Sequence, residues 1–179
     1  MNQDVSDEVP FSRTKIRVGC LVFCEDEVVL IRRTRPSGNH YSIPGGNVSF
    51  GEDLIDALRR ELGEELKLDL DRATWPQLCW VQDQMVSRPG PTAPPRKLHF
   101  VFRVHVDSRV RSGLATVEHD ELPNGDVEAG EFVWVDYRSV SSLQLYPALG
   151  SALAALASPN APPSNVLLPA LTDQTYRWV

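Results

Sequence analysis

The stretch that decides the fold is "GGNVSFGEDLIDALRRELGEELKL", Gly45–Leu68. Four leucines recur in it at every fourth position: Leu54, Leu58, Leu62 and Leu66. This spacing predicts a helix with one buried face. Ser49 and Glu52 have the spacing of a capping box, so we expect the helix to begin near Gly51.

Three glutamates crowd onto the same predicted helix: Glu61, Glu64 and Glu65. Residues three or four positions apart are neighbours on a helix surface, so these carboxylates should repel one another. One interpretation is a solvated acidic face, which is the usual meaning of a run of like charges. The other is a divalent cation site, because Mg²⁺ binds carboxylate oxygens together with substrate phosphates.

The surrounding spacing favours the cation site. The stretch resembles the signature of the Nudix hydrolases over Gly46–Leu68, and the preceding "PGG" also matches the usual approach to that signature. The matching positions are Gly46, Glu52, Arg60, Glu61, Leu62, Glu64, Glu65 and Leu68. The one departure is Lys67, where the family normally has glycine. A glycine there would end the helix with a positive φ, which lysine tolerates poorly.

The resemblance implies an α/β fold, a Nudix-like α/β/α sandwich around a mixed β-sheet. It also implies a bound Mg²⁺ or Mn²⁺ and a set of metal ligands, which are the carboxylates of Glu61, Glu64 and Glu65 and the backbone carbonyl of Gly46. Arg60 and Glu52 would form a charge-assisted pair that orients the glutamates, although such a pair can also be an ordinary surface salt bridge.

The resemblance leaves the general base open. It places the base either in the signature, at Glu61 or Glu64, or in a downstream acidic loop. The loop candidates are Glu118, Glu121, Glu128 and Glu131. For substrate binding, strand alternation sends Arg33 and Arg35 to one face and Arg32 to the other. Arg33 and Arg35 are therefore candidates for binding phosphate, with an exposed basic strand end as the alternative.

Patterns outside the signature predict a mixture of strands and helices. Apolar and β-branched runs predict strands at Lys15–Cys24, Val28–Arg33, Leu78–Val86, Lys97–Val106 and Phe132–Asp136. Loops are predicted at Thr34–Ser42, at the Pro-rich Ser87–Arg96 and at the acidic Val117–Glu131. Leucine spacing predicts a second helix in Leu143–Ala157, with Pro147 in its first turn.

Composition limits the classes of partner. The net charge of −6 and pI of about 5.2 argue against binding a nucleic acid polymer. No apolar run is long enough for a membrane span, and the acidic N-terminus lacks the pattern of a signal peptide, so we expect a cytoplasmic protein. We expect a flexible polar tail at 1–13, one Nudix domain at 14–157 and a Pro-rich extension at 158–179 that packs on the domain or on a partner.

The leading functional hypothesis is a metal-dependent hydrolase that cleaves the pyrophosphate linkage of a nucleoside diphosphate joined to another moiety, such as ADP-ribose, a nucleotide sugar or a dinucleotide. A second hypothesis is the pyrophosphohydrolysis of an ordinary or oxidised nucleoside triphosphate. A third is a Nudix-like sensor that binds a nucleotide without cleaving it, which the intact glutamates disfavour. The apolar C-terminal residues are also compatible with a homodimer.

Overall fold

A computed structural model describes residues 14–87, 96–121 and 125–176, with only the backbone of Glu121. The predicted tail at 1–13, residues 88–95 of the Pro-rich loop and Trp178 lie outside these ranges.

Strands dominate the described part of the chain. They are β1 Thr14–Cys24, β2 Glu27–Arg35, β3 Gly38–Ser42, β4 Gly45–Asn47, β5 Gln77–Met85, β6 Arg96–His105, β7 Val117–Glu121, β8 Val127–Asp136, β9 Leu145–Tyr146 and β10 Leu171–Thr172. The α-helices are α1 Leu54–Leu66, α2 Ser108–Arg111 and α3 Gly150–Ala154, and 3₁₀ turns lie at Leu70–Arg72 and Tyr137–Ser142.

The strands form a mixed sheet with β1 at its centre. β1 runs parallel to β6 from Thr14 opposite Arg96 to Phe23 opposite His105, and antiparallel to β2 and β4. β5 and then β10 continue the sheet beyond β6, while β3 and β8 both pair with β2. The combination of parallel and antiparallel pairs confirms the predicted mixed sheet.

Side chains of β1 alternate between two apolar layers because successive residues of a strand point to opposite faces. Cys20 and Val22 pack with α1 on one face, whereas Leu21 and Phe23 pack with α3 and the 3₁₀ turn before it on the other. Helical elements therefore cover both faces, which confirms the α/β/α sandwich. The described cysteines are free, buried thiols.

Helix α1 confirms the buried leucine face, since Leu58, Leu62 and Leu66 are fully buried. Its predicted start near Gly51 is wrong. Asp53 is the N-cap, and its carboxylate accepts from the backbone N–H groups of Ile55 and Asp56. Glu52 instead accepts from the backbone N–H of Ser49, so the two residues organise the loop before the helix.

Helix α1 ends next to Lys67, the position at which the sequence departs from the family signature. Lys67 adopts the left-handed conformation with φ of 59°, and its N–H and that of Leu68 both donate to the Leu62 carbonyl. Lysine therefore occupies a conformation that favours glycine, at a cost of roughly 1 kcal/mol or more.

Three predictions outside the signature are wrong. The predicted loop Thr34–Ser42 is largely the β2–β3 hairpin, and the acidic loop Val117–Glu131 contributes the two strands of the β7–β8 hairpin. The second helix is confined to Gly150–Ala154, because Leu145 and Tyr146 pair with β3 instead. Pro147 consequently lies before the helix and not in its first turn.

The C-terminal extension lies along the outer edge of β5. Val81 exchanges backbone hydrogen bonds with Val166 and Leu168, and β10 then pairs with the end of β5. The Arg103 guanidinium donates to the carbonyls of Pro159 and Ala161, so it holds the start of the extension. No helix in the described ranges is both long and apolar enough to cross a membrane.

Candidate active site

Arg60 connects the loop before α1 to the carboxylates of the helix. Its guanidinium donates two hydrogen bonds to Glu52, at 2.9 and 3.0 Å, and one to the carbonyl of Asn47 at 3.0 Å. It also donates to Glu61 at 2.8 Å and reaches Glu64 at 3.5 Å. Hydrogen bonding from Arg60 lowers the pKa of Glu52, so this two-point pair is charged and fixes the direction of the guanidinium.

Glu61 lies directly against the backbone of Gly46. A Cβ atom placed on Gly46 would be 2.1 Å from one Glu61 carboxylate oxygen and 2.5 Å from the other. Only glycine leaves room for this approach, which accounts physically for a glycine at this position of the signature. The β4 backbone and the Glu61 carboxylate are thus brought together, as the predicted ligand set requires.

Glu65 lies deeper in the protein. Its carboxylate accepts a hydrogen bond from the Gly45 N–H at 2.8 Å. Burial raises its pKa, and repulsion from Glu118, Glu61 and Asp120 raises it further.

Glu118, on β7, is the facing carboxylate from a different part of the chain. Its side chain is 7% exposed, and burial raises its pKa as well, while Arg33 opposes that shift. The β7–β8 hairpin therefore brings a second acidic group against helix α1. The prediction of a loop in this segment did not indicate where Glu118 would lie.

Arg33 anchors the acidic hairpin from β2. Its guanidinium donates to Glu118 at 2.7 Å and to Asp120 at 2.9 Å, and its Nε lies 3.5 Å from Glu128. It also donates to the Ser42 hydroxyl at 3.1 Å. One buried cation thus faces three carboxylates, so the cluster keeps an excess of negative charge.

The two faces of β2 differ as alternation predicts. Arg33 and Arg35 line the same cavity as the signature glutamates, and Arg35 contacts Glu128 at 3.2 Å. Arg32 pairs instead with Glu131.

A cavity of about 380 Å³ joins these groups. Its acidic side contains Glu61, Glu65, Glu118, Asp120 and Glu128, and Gly45 and Gly46 form part of its wall. Its lining also includes basic and aromatic side chains, which are Arg17, Lys97, His40, His99 and Tyr146. Glu64 lies away from this cavity, at a neighbouring opening that it shares with Glu61, Glu65, Lys67 and Glu118.

Several residues that line the cavity were not predicted from the sequence as site residues. Two strands that the sequence predicts as part of the core supply them: β1 carries Arg17, and β6 carries Lys97 and His99. Strand pairing places Arg17 directly opposite His99. Their alternation with apolar residues was the available signal. Aromatic side chains on the strands could in principle stack a base, but Trp80 and Phe102 are buried in the core and Trp134 is covered by the Arg111 guanidinium.

The donor set fits a hard divalent cation. Carboxylate and carbonyl oxygens are the ligands that such cations prefer, and a cation between Glu61, Glu65 and Glu118 would relieve the repulsion among them. No three His, Cys, Asp or Glu side chains in residues 14–87, 96–120 and 125–176 already converge with the geometry of a metal site. The carboxylates are close neighbours that would have to turn toward the ion.

Solved structures show the same fold. A mutator MutT protein from Bacillus halodurans has a TM-score of 0.53 at 18% identity, over 78% of this chain and 79% of that one. A MutT protein from Methanosarcina mazei Go1 has a TM-score of 0.52 at 20% identity, over 78% and 90%. The ORF135 protein of E. coli has a TM-score of 0.50 at 19% identity, over 80% and 89%.

None of the curated protein sequences matches the chain significantly. The family model described as the NUDIX domain matches residues 13–156, which is most of the chain. That match, together with a complete set of signature glutamates around Arg60, shows that the chain belongs to the Nudix hydrolase family and is a Nudix pyrophosphohydrolase.

Proposed function

We propose that this protein hydrolyses the pyrophosphate linkage of a nucleoside diphosphate joined to another moiety, of the ADP-ribose, nucleotide sugar or dinucleotide class, and that it requires Mg²⁺ or Mn²⁺. The observation that carries the proposal is the single cavity in which the signature carboxylates face basic and aromatic side chains. A pyrophosphate needs positive charge on its oxygens, and the group attached to it needs space beyond them.

Glu61, Glu65 and the Gly46 carbonyl would hold the divalent cation from the cavity, and Glu64 would join them from the neighbouring opening that it shares with Glu61 and Glu65. When bound, such a cation neutralises phosphate charge, polarises phosphorus and lowers the pKa of water. Glu52 and Arg60 act on these ligands and not on the substrate. The guanidinium, fixed at two points by Glu52, holds Glu61 toward Gly46 through its 2.8 Å hydrogen bond.

The general base, which accepts a proton from the attacking water, is Glu61, Glu64 or a carboxylate of the β7–β8 hairpin. Among the hairpin candidates, Glu118 has the position that fits best, because it is buried against Glu65 and lines the cavity. Glu131 pairs with Arg32 and does not line this cavity. We therefore infer that Glu118 is the hairpin's contribution to proton transfer.

The basic residues divide into two roles in this proposal. Arg33 is nearly buried and holds Glu118, Asp120 and Glu128, so its main role is to position the acidic hairpin. Arg35 is more exposed, and its two hydrogen bonds to Glu128 are longer, at 3.2 and 3.3 Å, which makes its guanidinium the better candidate for binding a phosphate oxygen. Arg17, which lines the cavity beside β4 and donates to the Gly45 carbonyl at 3.4 Å, is a further candidate for binding phosphate.

The test is a phosphate-release assay with coupling phosphatases over ADP-ribose, nucleotide sugars, dinucleotides and nucleoside triphosphates, with Mg²⁺, Mn²⁺ or a chelator. We expect cation-dependent turnover of one diphosphate-linked class. Glu61→Gln and Glu65→Gln should reduce kcat by about 100-fold or more. Asp56→Asn, an exposed carboxylate on the same helix, is the matched control and should leave turnover unchanged.

Two results would contradict the proposal. Turnover of triphosphates in preference to every diphosphate-linked substrate would identify the second substrate class. Turnover that persists in the chelator, or in Glu65→Gln at the wild-type rate, would remove the proposed role of the carboxylates.

A further inference from the structure

Tyr176, on the C-terminal extension, contacts side chains that line the cavity. The matched family domain ends at residue 156, so Tyr176 lies twenty residues beyond it. Its side chain is buried, at 7% exposure, in a small apolar cluster with Val86, Tyr146 and Leu171. The ring of Tyr176 lies 5.9 Å from that of Tyr146, and its hydroxyl lies 3.1 Å from Nε2 of His40.

Two of the side chains that contact Tyr176, those of His40 and Tyr146, line the cavity. His40, on β3, lies directly opposite Arg33 in the β2–β3 pair, and Tyr146, on β9, lies opposite Ser42. His40 and Tyr146 line the cavity that contains Glu61 and Glu65. Burial and the nearby Arg35 and Arg33 lower the pKa of His40, so its imidazole is neutral and can hydrogen-bond through either nitrogen.

Several independent contacts fix the extension that brings Tyr176 to this position. Asp173 accepts from both the N–H and the hydroxyl of Ser87, each at 2.7 Å. The Gln82 amide, fully buried on β5, donates to the Pro169 carbonyl at 3.0 Å. With the pairing of β10 to β5, these contacts hold the chain on both sides of Leu171.

Tyr146 continues the contacts along the cavity floor. Its hydroxyl donates to the Gln84 side-chain oxygen and lies 3.2 Å from Nε2 of His99, and the Lys97 ammonium lies 5.8 Å from its ring centre. A displacement of Tyr146 would therefore move the part of the wall that carries His99 and Lys97.

We propose that the C-terminal extension is part of the substrate site, and that Tyr176 is a positioning residue that sets the affinity and selectivity of the enzyme for the group attached to the pyrophosphate. The inference rests on the proposed hydrolysis of such substrates. His40 and Tyr146 contact the attached group, and Tyr176 acts through them. The carboxylates that hold the cation lie on other elements, α1 and β7, so we expect a change at Tyr176 to leave them in place.

The experiment compares Tyr176→Phe and Tyr176→Ala with the wild type in the full-length chain. Leu167→Ser is the matched control, because Leu167 lies on the same extension but is 69% exposed. Loss of the hydroxyl should raise KM about fivefold, in line with one hydrogen bond. Loss of the ring should raise KM about tenfold or more and change the ranking of substrates, with kcat within about threefold of wild type. The control should match the wild type.

Affinity for the α,β-methylene analogue of ADP-ribose, which keeps the attached group but cannot be cleaved at the bridging position, is measured by calorimetry with Mg²⁺ present and separates this inference from the proposed function. A wild type that binds this analogue but turns over no substrate, with weaker binding in the Tyr176 variants, supports the inference while the hydrolysis proposal fails. Unchanged KM, substrate ranking and analogue affinity in the variants overturn it, and so does a wild type that neither binds nor turns over any probe. If Tyr176→Ala does not fold, Tyr176→Phe decides alone.

Discussion

Replacing Gly46 by alanine should damage the site without damaging the fold. The new Cβ would lie 2.1 Å from a Glu61 carboxylate oxygen, and contacts under 3.0 Å essentially never occur, so the carboxylate must retreat by about 0.9 Å. A misplacement of about 1 Å in an active site costs on the order of 100-fold in rate, which corresponds to about 2.7 kcal/mol of transition-state stabilisation.

The free energy of unfolding should change far less. The clashing atoms are the end of a flexible side chain, which can rotate away, and Gly46 has no positive φ that alanine would strain. We expect a change within about 1 kcal/mol. The measurements are kcat/KM on the best substrate, Mn²⁺ affinity by calorimetry and urea denaturation.

Gly63→Ala is the matched control for this variant. It is the same substitution within the same signature, but its Cβ would meet no atom closer than the Leu68 carbonyl at 4.0 Å. It should stabilise the helix by up to about 1 kcal/mol and leave catalysis intact. If Gly46→Ala retained wild-type kcat/KM and Mn²⁺ affinity, the site would not depend on the close approach of the Glu61 carboxylate to residue 46. That result would refute the reasoning.

Three further outcomes follow from local geometry. Lys67→Gly should raise the free energy of unfolding by about 1 kcal/mol, since it relieves a positive φ, and the thermal midpoint by about 2–4 °C; an unchanged midpoint would contradict this. Asp53→Ala should cost about 1 kcal/mol in urea denaturation and Ser49→Ala only a few tenths, and the reverse order would place the cap at Ser49. Burial, with Arg17 and Lys97 nearby, lowers the pKa of His99 to about 3. Because this value lies below the unfolded pKa of about 6.5, protonation favours the unfolded chain, and the contribution of His99 to the free energy of unfolding should fall by about 1.4 kcal/mol per pH unit between pH 6.5 and 3. That amounts to about 2 kcal/mol at pH 5 relative to pH 7. His99→Gln should flatten this dependence in urea denaturation at the two pH values, and an equally steep loss in the variant would contradict the assignment.

The signature helix and the fold could be predicted because their determinants are local. Leucines four residues apart define a buried face whatever surrounds them, and three of the four are fully buried. The same reasoning failed at Leu145 and Leu149, which are buried at helical spacing but lie before α3. Pairing of Leu145 with Tyr41 of β3 determines the backbone there, and that partner is distant in the sequence.

The acidic hairpin could not be predicted for a different reason. After its first residue, Val117, the segment "VEHDE" contains only polar residues, so it has no apolar face that would indicate a strand. Glu118 is buried because Arg33, 85 residues earlier, supplies its counter-charge. Burial of a charge depends on a partner, and sequence pattern does not show which partner it will have.

The carboxylates of this site come from two segments with different constraints. Glu61 and Glu65 lie within the family signature, whereas Glu118 and Asp120 lie on a hairpin outside it, where Arg33 contacts both. Substitutions in the hairpin can therefore change the charge of the cavity while the signature stays intact. The hairpin is the segment to compare when two relatives with the same signature differ in metal requirement.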